Sequence, residues 1–262
     1  MRRVLLPALL LVALSACATA PVEYRQVWQD DFDGPAGAPP SPENWGYDIG
    51  TDWGNQQLEF TTNRTTNSAL DGAGRLVITA RREDFNGRAY TSARLTTAGK
   101  REFTYGRFEA RMRLPVGQGL WPAFWMLGAD LPRVGWPQSG EIDIMEYRGQ
   151  EPNVNHGSIH GPGYSGGRAI TRRFTLPSGT FDGEFHTFRA DWERREIRFY
   201  VDDVLYHRIR ADDVPGTWVF NKPFYLILNI AVGGTFVGAV GPNTTFPQQL
   251  VIDWVRVSQE QN

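Results

Sequence analysis

Apolar and polar residues alternate along several short stretches of the chain, the pattern of β-strands with one buried face. In the clearest stretch, residues 107–114, one face is charged and the other consists of Phe108, Ala110, Met112 and Leu114. Similar segments predict further strands over residues 26–32, 75–81, 196–201, 204–209 and 250–257. A nearly continuous apolar run over residues 224–232 predicts a strand buried on both faces.

Turn-forming residues separate these segments. Asp202 and Asp203 lie between two predicted strands and predict a hairpin turn, and residues 34–42 are rich in proline and glycine. The chain contains neither an amphipathic helical window of useful length nor an internal repeat. Many short strands joined by turns predict an all-β sandwich of two antiparallel sheets.

Composition narrows the class of protein. With 262 residues, 41% of them hydrophobic and 21% charged, the chain can bury one sizeable core. The net charge of −2 gives no indication of a nucleic-acid partner. Nine tryptophans within an aromatic content of 13% fit either a β-sheet core or a sugar-binding surface.

The first 16 residues have the pattern of a signal peptide, with a basic start and an apolar run over residues 4–14 that is too short to span a bilayer comfortably. The run ends at Leu14-Ser15-Ala16-Cys17, which resembles a bacterial lipobox, and Cys17 is the only cysteine. We therefore expect a lipidated Cys17, a short tether over residues 17–23 and a folded domain over residues 24–262. An ordinary signal peptide with an incidental cysteine is the alternative.

The most informative stretch is Glu141-Ile142-Asp143-Ile144-Met145-Glu146. In a strand, Glu141 and Asp143 point to one face, but strict alternation sends Glu146 to the other. One extra residue in a β-bulge would return Glu146 to the face of the first two acids. An acidic, solvent-exposed strand is the alternative reading.

A row of three carboxylates is costly, because neighbouring negative charges raise each other's pKa. Glycoside hydrolysis needs such an arrangement, since one carboxyl must be protonated while its neighbour is ionised. Trp121, Trp125 and Trp136 lie just upstream, and flat indole faces suit the apolar faces of sugar rings.

These residues resemble the catalytic motif of glycoside hydrolase family 16, in its bulged form with an extra methionine. Further matches are Trp53-Gly54-Asn55, the block from Trp121 to Trp125, the stretch from His156 to Gly167, and Ile252-Asp253-Trp254-Val255. The resemblance covers residues 24–257 and is nearest to bacterial endo-1,3-β-glucanases, or laminarinases. It implies a β-jelly roll with a concave substrate cleft.

The resemblance also implies roles for individual residues. Glu141 would be the nucleophile and Glu146 the general acid/base, with Asp143 hydrogen-bonded to the nucleophile, and the anomeric configuration would be retained without a catalytic cofactor. Six side chains are candidates for holding the sugar: Asn55, Arg94, Trp121, Trp125, Trp136 and His160. His160 would border the acid/base. Many relatives have glutamate where this chain has Gln57. A solvated arginine and a structural histidine are the alternatives for Arg94 and His160.

A structural calcium ion is a further implication of the resemblance. Its ligands would come from Asp31, Gly74 and Asp253, and oxygen ligands suit this cation. An exposed surface aspartate is the alternative for Asp31.

The resulting hypothesis is a lipid-anchored, monomeric endo-hydrolase of 1,3-β-glucan in the bacterial cell envelope. Ala18 follows Cys17, and the absence of aspartate there points to the outer membrane if the cell is Gram-negative. Two alternatives remain open: a family member that cleaves another β-linked polysaccharide, such as mixed-linkage glucan or a galactan, and a jelly-roll binding protein without activity.

Overall fold

The computed structural model describes residues 23–261, so the predicted signal peptide, Cys17 and most of the tether lie outside the described residues. Eighteen strands account for nearly half of the described chain. In chain order they are β1 (Tyr24–Asp30), β2 (Gly46–Tyr47), β3 (Glu59–Thr61), β4 (Ser68–Leu70), β5 (Leu76–Phe85), β6 (Arg88–Ser92), β7 (Arg94–Thr96), β8 (Glu102–Phe103), β9 (Gly106–Arg113), β10 (Leu120–Gly128), β11 (Glu141–Tyr147), β12 (Val154–His160), β13 (Ile170–Thr175), β14 (His186–Glu193), β15 (Glu196–Val201), β16 (Val204–Arg210), β17 (Phe224–Val232) and β18 (Gln248–Glu260).

The strands form two sheets, which confirms the predicted sandwich. A ten-stranded sheet has the order β16-β15-β14-β9-β18-β5-β6-β3, with β1 beside β18 and β4 beside β5. An eight-stranded sheet has the order β13-β12-β11-β10-β17-β7-β2, with β8 beside β17. All strand pairs are antiparallel except β3 and β6, which pair in parallel at the edge of the ten-stranded sheet.

Helical structure in the described part of the chain is limited to two short turns. These are an α-helical turn, α1 (Leu131–Val134), and a 3₁₀ turn over Gly166–Arg168. Across residues 23–261 we find no helix with the length and apolar character needed to cross a membrane.

The alternating and apolar patterns assign the buried faces correctly. Phe108, Ala110 and Met112 of β9 are fully buried, and every residue of β17 is buried, as expected for a strand covered on both sides. The hairpin between β15 and β16 turns at Asp202 and Asp203, whose φ angles of 47° and 66° are typical of the type I′ turn that matches strand twist.

A bulge in β11 decides where the acidic side chains point. Asp143 pairs with Ser158 of β12 and Glu146 pairs with His156, so two residues of β11 oppose one of β12. Ile144 and Met145, the two residues inside the bulge, are both completely buried in the core. Burying Met145 stabilises this arrangement by about 1.5–3 kcal/mol, whereas regular alternation would place the polar carboxyl of Glu146 in the core.

The residue opposite the bulge is a glycine for steric reasons. Gly157 of β12 faces the hydroxyl of Tyr206, which reaches across from β16 in the other sheet. A Cβ at position 157 would lie 2.2 Å from that hydroxyl oxygen. Tyr206 also accepts a hydrogen bond from Asn155 Nδ2 at 3.1 Å, so the two sheets are in close contact directly behind the bulge.

Candidate active site

The bulge brings the three predicted acids onto one surface. Glu141, Asp143 and Glu146 all line a cleft of about 860 Å³ on the outer face of the eight-stranded sheet. Their apolar neighbours in β11 point the opposite way into the core. The predicted row of acids is therefore present, and it is partly covered rather than a solvent-exposed strand, since Asp143 is only 2% exposed.

Each of the two glutamates accepts a hydrogen bond from a tryptophan. Trp136 Nε1 donates to Glu141 Oε2 at 3.0 Å, and Trp121 Nε1 donates to Glu146 Oε1 at 3.1 Å. Asp143 lies between them in the row, and its negative charge raises the pKa of both glutamates.

His160 of β12 pairs with Glu141 of β11, and its ring lies beside Glu141 and Asp143. Its Nε2 is 3.5 Å from Glu141 Oε1 and 3.1 Å from Asp143 Oδ2. The backbone N–H of Gly166 donates to its Nδ1 at 3.1 Å, so the proton of a neutral ring sits on Nε2. His160 therefore presents a donor to the Glu141–Asp143 pair.

Burial and mutual repulsion perturb all three acids in the same direction. Desolvation, and after it the negative charge of Asp143, raises the pKa of Glu146 to about 8. Burial also raises the pKa values of Glu141 and Asp143. For Glu141, the negative charge of Asp143 is the second largest cause of the increase. Ionising one acid disfavours ionisation of the next, so the row holds both charge and protons near neutral pH.

The cleft crosses the sheet at an angle to its strands. Its lining residues come from six neighbouring strands, β13, β12, β11, β10, β17 and β7, and from adjoining loops. At the usual spacing of strands, this width is about 24 Å. All six predicted sugar-contacting residues line it: Asn55, Arg94, Trp121, Trp125, Trp136 and His160.

Arg94 occupies the end of the cleft formed by β7. Its guanidinium lies over the rings of Trp53 and Trp125, at 4.9 and 4.8 Å from their centroids, and its Nε donates to Asp48 Oδ2 at 2.9 Å. Trp125 Nε1 in turn donates to Asn229 Oδ1 at 2.7 Å. Arg94 is therefore a fixed part of the wall that orients two indoles, and it is not a freely solvated side chain.

Asn55 is presented by a loop in an uncommon backbone conformation. Asp52, Asn55 and Gln56 have φ angles of 64°, 53° and 58°, and the intervening Gly54 has 97°. Left-handed non-glycine residues cost roughly 1–2 kcal/mol each, less for asparagine and aspartate. The loop therefore needs strong anchors, which matters because it carries Trp53, Asn55 and Gln57 into the cleft.

Sequence reasoning missed several cleft residues. Phe236 packs against Trp121 at 4.9 Å, and the guanidinium of Arg148 lies 4.3 Å from its ring centroid. Nothing in the sequence distinguishes Phe236 as a cleft residue. Asn229 could have been recognised from the sequence, because it is the one amide side chain in the apolar run that forms β17.

The other histidines have the structural roles expected of them. His156 and His207 are buried, and desolvation lowers the pKa of each to about 4. His186 Nδ1 lies 2.6 Å from Asp202 Oδ2, beside the β15–β16 hairpin turn.

One cluster has the ligand types of a metal site. Within residues 23–261, the one set of three or more His, Cys, Asp or Glu side chains whose ligand atoms approach within 4.8 Å consists of Glu141, Asp143 and His160. Two of these groups, Glu141 and Asp143, belong to the acidic row, and His160 lies beside them. A cation bound there would neutralise the carboxylate charge that the reaction uses, and glycoside hydrolysis by two carboxyls needs no metal.

The residues implied for calcium do not fit that ion. Calcium needs six to eight oxygen ligands, but Asp253 is engaged by two arginines, with Arg111 Nη1 at 2.5 Å from Oδ2 and Arg75 Nε at 3.7 Å from Oδ1. Asp31 Oδ1 lies 3.5 Å from Arg256 Nη2. Gly74 does lie beside the Asp31 carbonyl, about where a backbone ligand was expected. Guanidinium groups thus supply the positive charge on this face.

Removing or adding calcium should therefore leave the stability unchanged. We expect the midpoint of thermal unfolding to differ by less than about 2 °C between about 5 mM EDTA and about 5 mM CaCl₂. The reason is that calcium would contribute less than about 1 kcal/mol to the free energy of unfolding. Arg111→Gln is the matched variant, because it removes the guanidinium that contacts Asp253 Oδ2 and leaves this oxygen available to calcium. A calcium-dependent increase of several degrees in the wild type would show that the arginines move aside for the ion.

Comparisons with known proteins agree with this geometry. The family model described as glycosyl hydrolases family 16 matches residues 48–256. A β-glucanase of Rhodothermus marinus is 46% identical over 245 residues, covering 89% of this chain and 85% of the relative. A glucan endo-1,3-β-glucosidase of Cryptopygus antarcticus is 38% identical over 243 residues, covering 86% of each chain.

A solved structure gives the same result in three dimensions. The catalytic domain of an endo-1,3-β-glucanase (laminarinase) from Thermotoga petrophila superposes with a TM-score of 0.87 at 42% identity, covering 92% of this chain and 100% of the other. The β-jelly roll, the row of acids in a bulged strand and the family match lead to one conclusion. The chain belongs to glycosyl hydrolases family 16, whose members need no catalytic cofactor.

Proposed function

We propose that this protein is an endo-acting hydrolase of 1,3-β-glucan that retains the anomeric configuration. The observation that carries the proposal is the acidic row at the centre of a cleft that crosses six strands. A cleft about 24 Å wide accommodates several units of an extended polysaccharide. The substrate class is supported by the relatives, which are named as β-glucanases and endo-1,3-β-glucosidases.

In the proposed mechanism, Glu141 is the nucleophile. Its Oε2 accepts the Trp136 N–H at 3.0 Å, and its Oε1 lies 3.5 Å from His160 Nε2. Both groups lower the pKa of Glu141 and so favour its negative charge, against burial and the charge of Asp143, which raise that pKa. Glu141 attacks the anomeric carbon and forms a covalent glycosyl-enzyme.

Glu146 is the general acid and then the general base. Its raised pKa keeps a proton available near neutral pH, and this proton passes to the oxygen of the leaving sugar. In the second step Glu146 takes a proton from water, which attacks the glycosyl-enzyme and releases Glu141. Trp121 Nε1 donates to Oε1 of Glu146 and so holds the carboxyl in place.

The dependence of kcat/KM on pH follows from these two roles. Glu146 acts first as an acid, so the rate should fall as the pH rises through its pKa of about 8. Burial raises the pKa of Glu141 as well, so the rate should also fall as the pH decreases below neutral and Glu141 becomes protonated. We expect a bell-shaped profile on a soluble laminari-oligosaccharide. A rate that keeps rising to pH 10 would contradict the assignment of Glu146 as the acid.

The direct test is the release of reducing ends from laminarin, with lichenan, agarose and curdlan assayed in parallel. Preferential cleavage of laminarin and curdlan, with a rapid fall in chain length, is the expected result. Cleavage confined to lichenan or agarose would favour a relative that acts on another β-linked polysaccharide. Tight binding without any product would favour a binding protein.

We also propose that the mature chain is a monomeric lipoprotein of the bacterial cell envelope, attached through Cys17. The support is the sequence pattern around Leu14-Ser15-Ala16-Cys17. Cys17→Ala should move the protein from the membrane fraction to the soluble fraction while its specific activity stays the same. A wild-type protein that is soluble and lacks the mass of acyl chains would contradict this proposal.

A further inference from the structure

Glu59 is a buried acid that the mechanism above does not use. It is the first residue of β3, at the edge of the ten-stranded sheet, and only 1% of its surface is exposed. It does not line the cleft, but it follows directly after the loop that carries Trp53, Asn55 and Gln57. A buried carboxyl in this position requires a structural or functional reason, because desolvating it is costly.

The carboxyl of Glu59 is bonded to the end of a central strand. Its Oε2 accepts the backbone N–H of Val232, the last residue of β17, at 2.8 Å. The preceding residue, Leu58, donates its N–H to the carbonyl of Val232 at 2.8 Å. Residues 58 and 59 therefore satisfy both backbone groups of Val232 and join the end of the loop to the end of β17.

A second loop is attached at the same point. Gly233 and Gly234 follow β17, and the N–H of Thr235 donates to the carbonyl of Asn55 at 2.8 Å. A Cβ on Gly234 would lie 2.7 Å from that same carbonyl oxygen, so the two loops are in close contact. Thr235 lines the cleft together with Phe236.

The backbone conformation of the loop before Glu59 is energetically unfavourable. Four of the five residues from Asp52 to Gln56 have positive φ angles, and only one of the four is glycine. Outside the buried anchor, its side-chain contacts are a pair between Arg88 and the exposed Asp52, the hydrogen bond from Trp53 Nε1 to Thr61 Oγ1, and the Arg94 guanidinium over the Trp53 ring. The exposed ion pair contributes little, and the contacts of Trp53 hold the start of the loop, so the buried bonds around Val232 are the main support of its end.

We propose that Glu59 is a positioning residue that clamps the 52–57 loop and the 233–236 loop to the end of β17, so that Asn55 and Gln57 are held at the sugar-binding surface. The inference rests on the proposed function for its kinetic consequences. It concerns a residue that touches no substrate and acts only through the backbone of these two loops.

The charge on Glu59 should affect the clamp. Burial raises its pKa from 4.5 to about 7, although the charges of Arg94 and Arg88 act in the opposite direction. Those two arginines are themselves paired with Asp48 and Asp52. When the loops are closed on β17, Glu59 holds its proton more tightly than it does when they are open. Loss of that proton therefore favours the open state, and the loops should open more readily as the pH increases.

The first test is kinetic and compares Glu59→Leu with Glu59→Gln. Leucine removes the acceptor for the Val232 N–H, whereas glutamine keeps an acceptor of the same shape. We expect Glu59→Leu to lower kcat/KM on laminari-oligosaccharides by roughly 10- to 100-fold through misplacement of the loop, mainly as an increase in KM. Glu59→Gln should restore most of the loss. Equal damage in both variants, or none in a folded Glu59→Leu protein, would overturn the proposal.

The second test needs no substrate and applies even where Glu59→Leu fails to fold. Hydrogen exchange of residues 52–58, corrected for intrinsic rates, measures how often the wild-type loop opens. This opening should increase about tenfold from pH 6 to pH 8, because the pKa of Glu59 is about 7 in the closed loop and 4.5 once the loop is open. Glu59→Gln should show no such increase, and the β15–β16 hairpin serves as an internal reference.

The two proposals can fail separately. Flat exchange of the wild-type loop between these pH values, in a protein that hydrolyses laminarin, would overturn the role of Glu59 alone. Exchange that depends on pH in the wild type but not in Glu59→Gln would support the clamp even if laminarin were not cleaved, and the proposed function would then be the one contradicted.

Discussion

Replacing Glu141 with Gln is expected to reduce laminarin hydrolysis by a factor of about 10⁴–10⁶, the scale of loss when a covalent nucleophile is removed. Glutamine has the shape of glutamate, but its amide does not form the glycosyl ester. Oligosaccharide binding should persist, because the indoles and the Arg94 wall remain in place. Initial rates on laminarin and calorimetric binding of a laminari-oligosaccharide measure the two effects separately.

Glu43→Gln is the matched control for this variant. It makes the same chemical change at an exposed residue far along the chain from β11. It should leave both the rate and the binding constant unchanged. Activity of Glu141→Gln close to that of this control would refute the assignment of the nucleophile.

Removing the acid/base should produce the second largest loss. Glu146→Ala is expected to lower kcat on laminarin by about 10²–10⁴-fold, the usual contribution of a positioned proton donor. With an activated aryl glycoside, the first step needs no acid, so the glycosyl-enzyme should form and accumulate. Added azide should then release it as a β-glycosyl azide, because attack on the intermediate restores the original configuration.

The product and its configuration are checked by nuclear magnetic resonance of the purified azide. Glu141→Gln treated in the same way should yield no azide product, since it forms no glycosyl-enzyme. An α-glycosyl azide from Glu146→Ala would mean direct displacement and would contradict the retaining mechanism. Absence of rescue by azide, with full activity on laminarin, would show that another group is the acid.

Some of the strands were predictable, because the period-2 pattern reflects which faces are buried, but others such as β12 and β14 were not predicted. Residues 196–201 and 224–232 were predicted with the bounds that the structure has, and the ends of the other predicted strands differ by a few residues. Strand ends are set by turns and by pairing partners, and a single segment contains little information about either. The parallel pairing of β3 with β6 is a clear example, since three residues carry no signal of direction.

The acidic row was predictable for a different reason. Three carboxyls near one another in a strand are unfavourable unless chemistry requires them, so the pattern itself indicated a function. The need for a bulge also followed from counting residues along β11. Its cause appears only in the structure, where Met145 is buried in the core and Gly157 leaves room for the Tyr206 hydroxyl.

The sequence alone therefore determined the fold class, the strand that carries the acids and the chemistry those acids are suited to, because each depends on local periodicity and residue type. Only the tertiary structure decided which distant groups meet there. The indole donors to Glu141 and Glu146, the contact of His160 with Asp143, and the bonds of Glu59 to Val232 join residues from 5 to 173 positions apart. The contacts of Arg111 and Arg75 with Asp253 are of the same kind. Such contacts depend on how sheets stack and loops cross, and no periodic pattern encodes them.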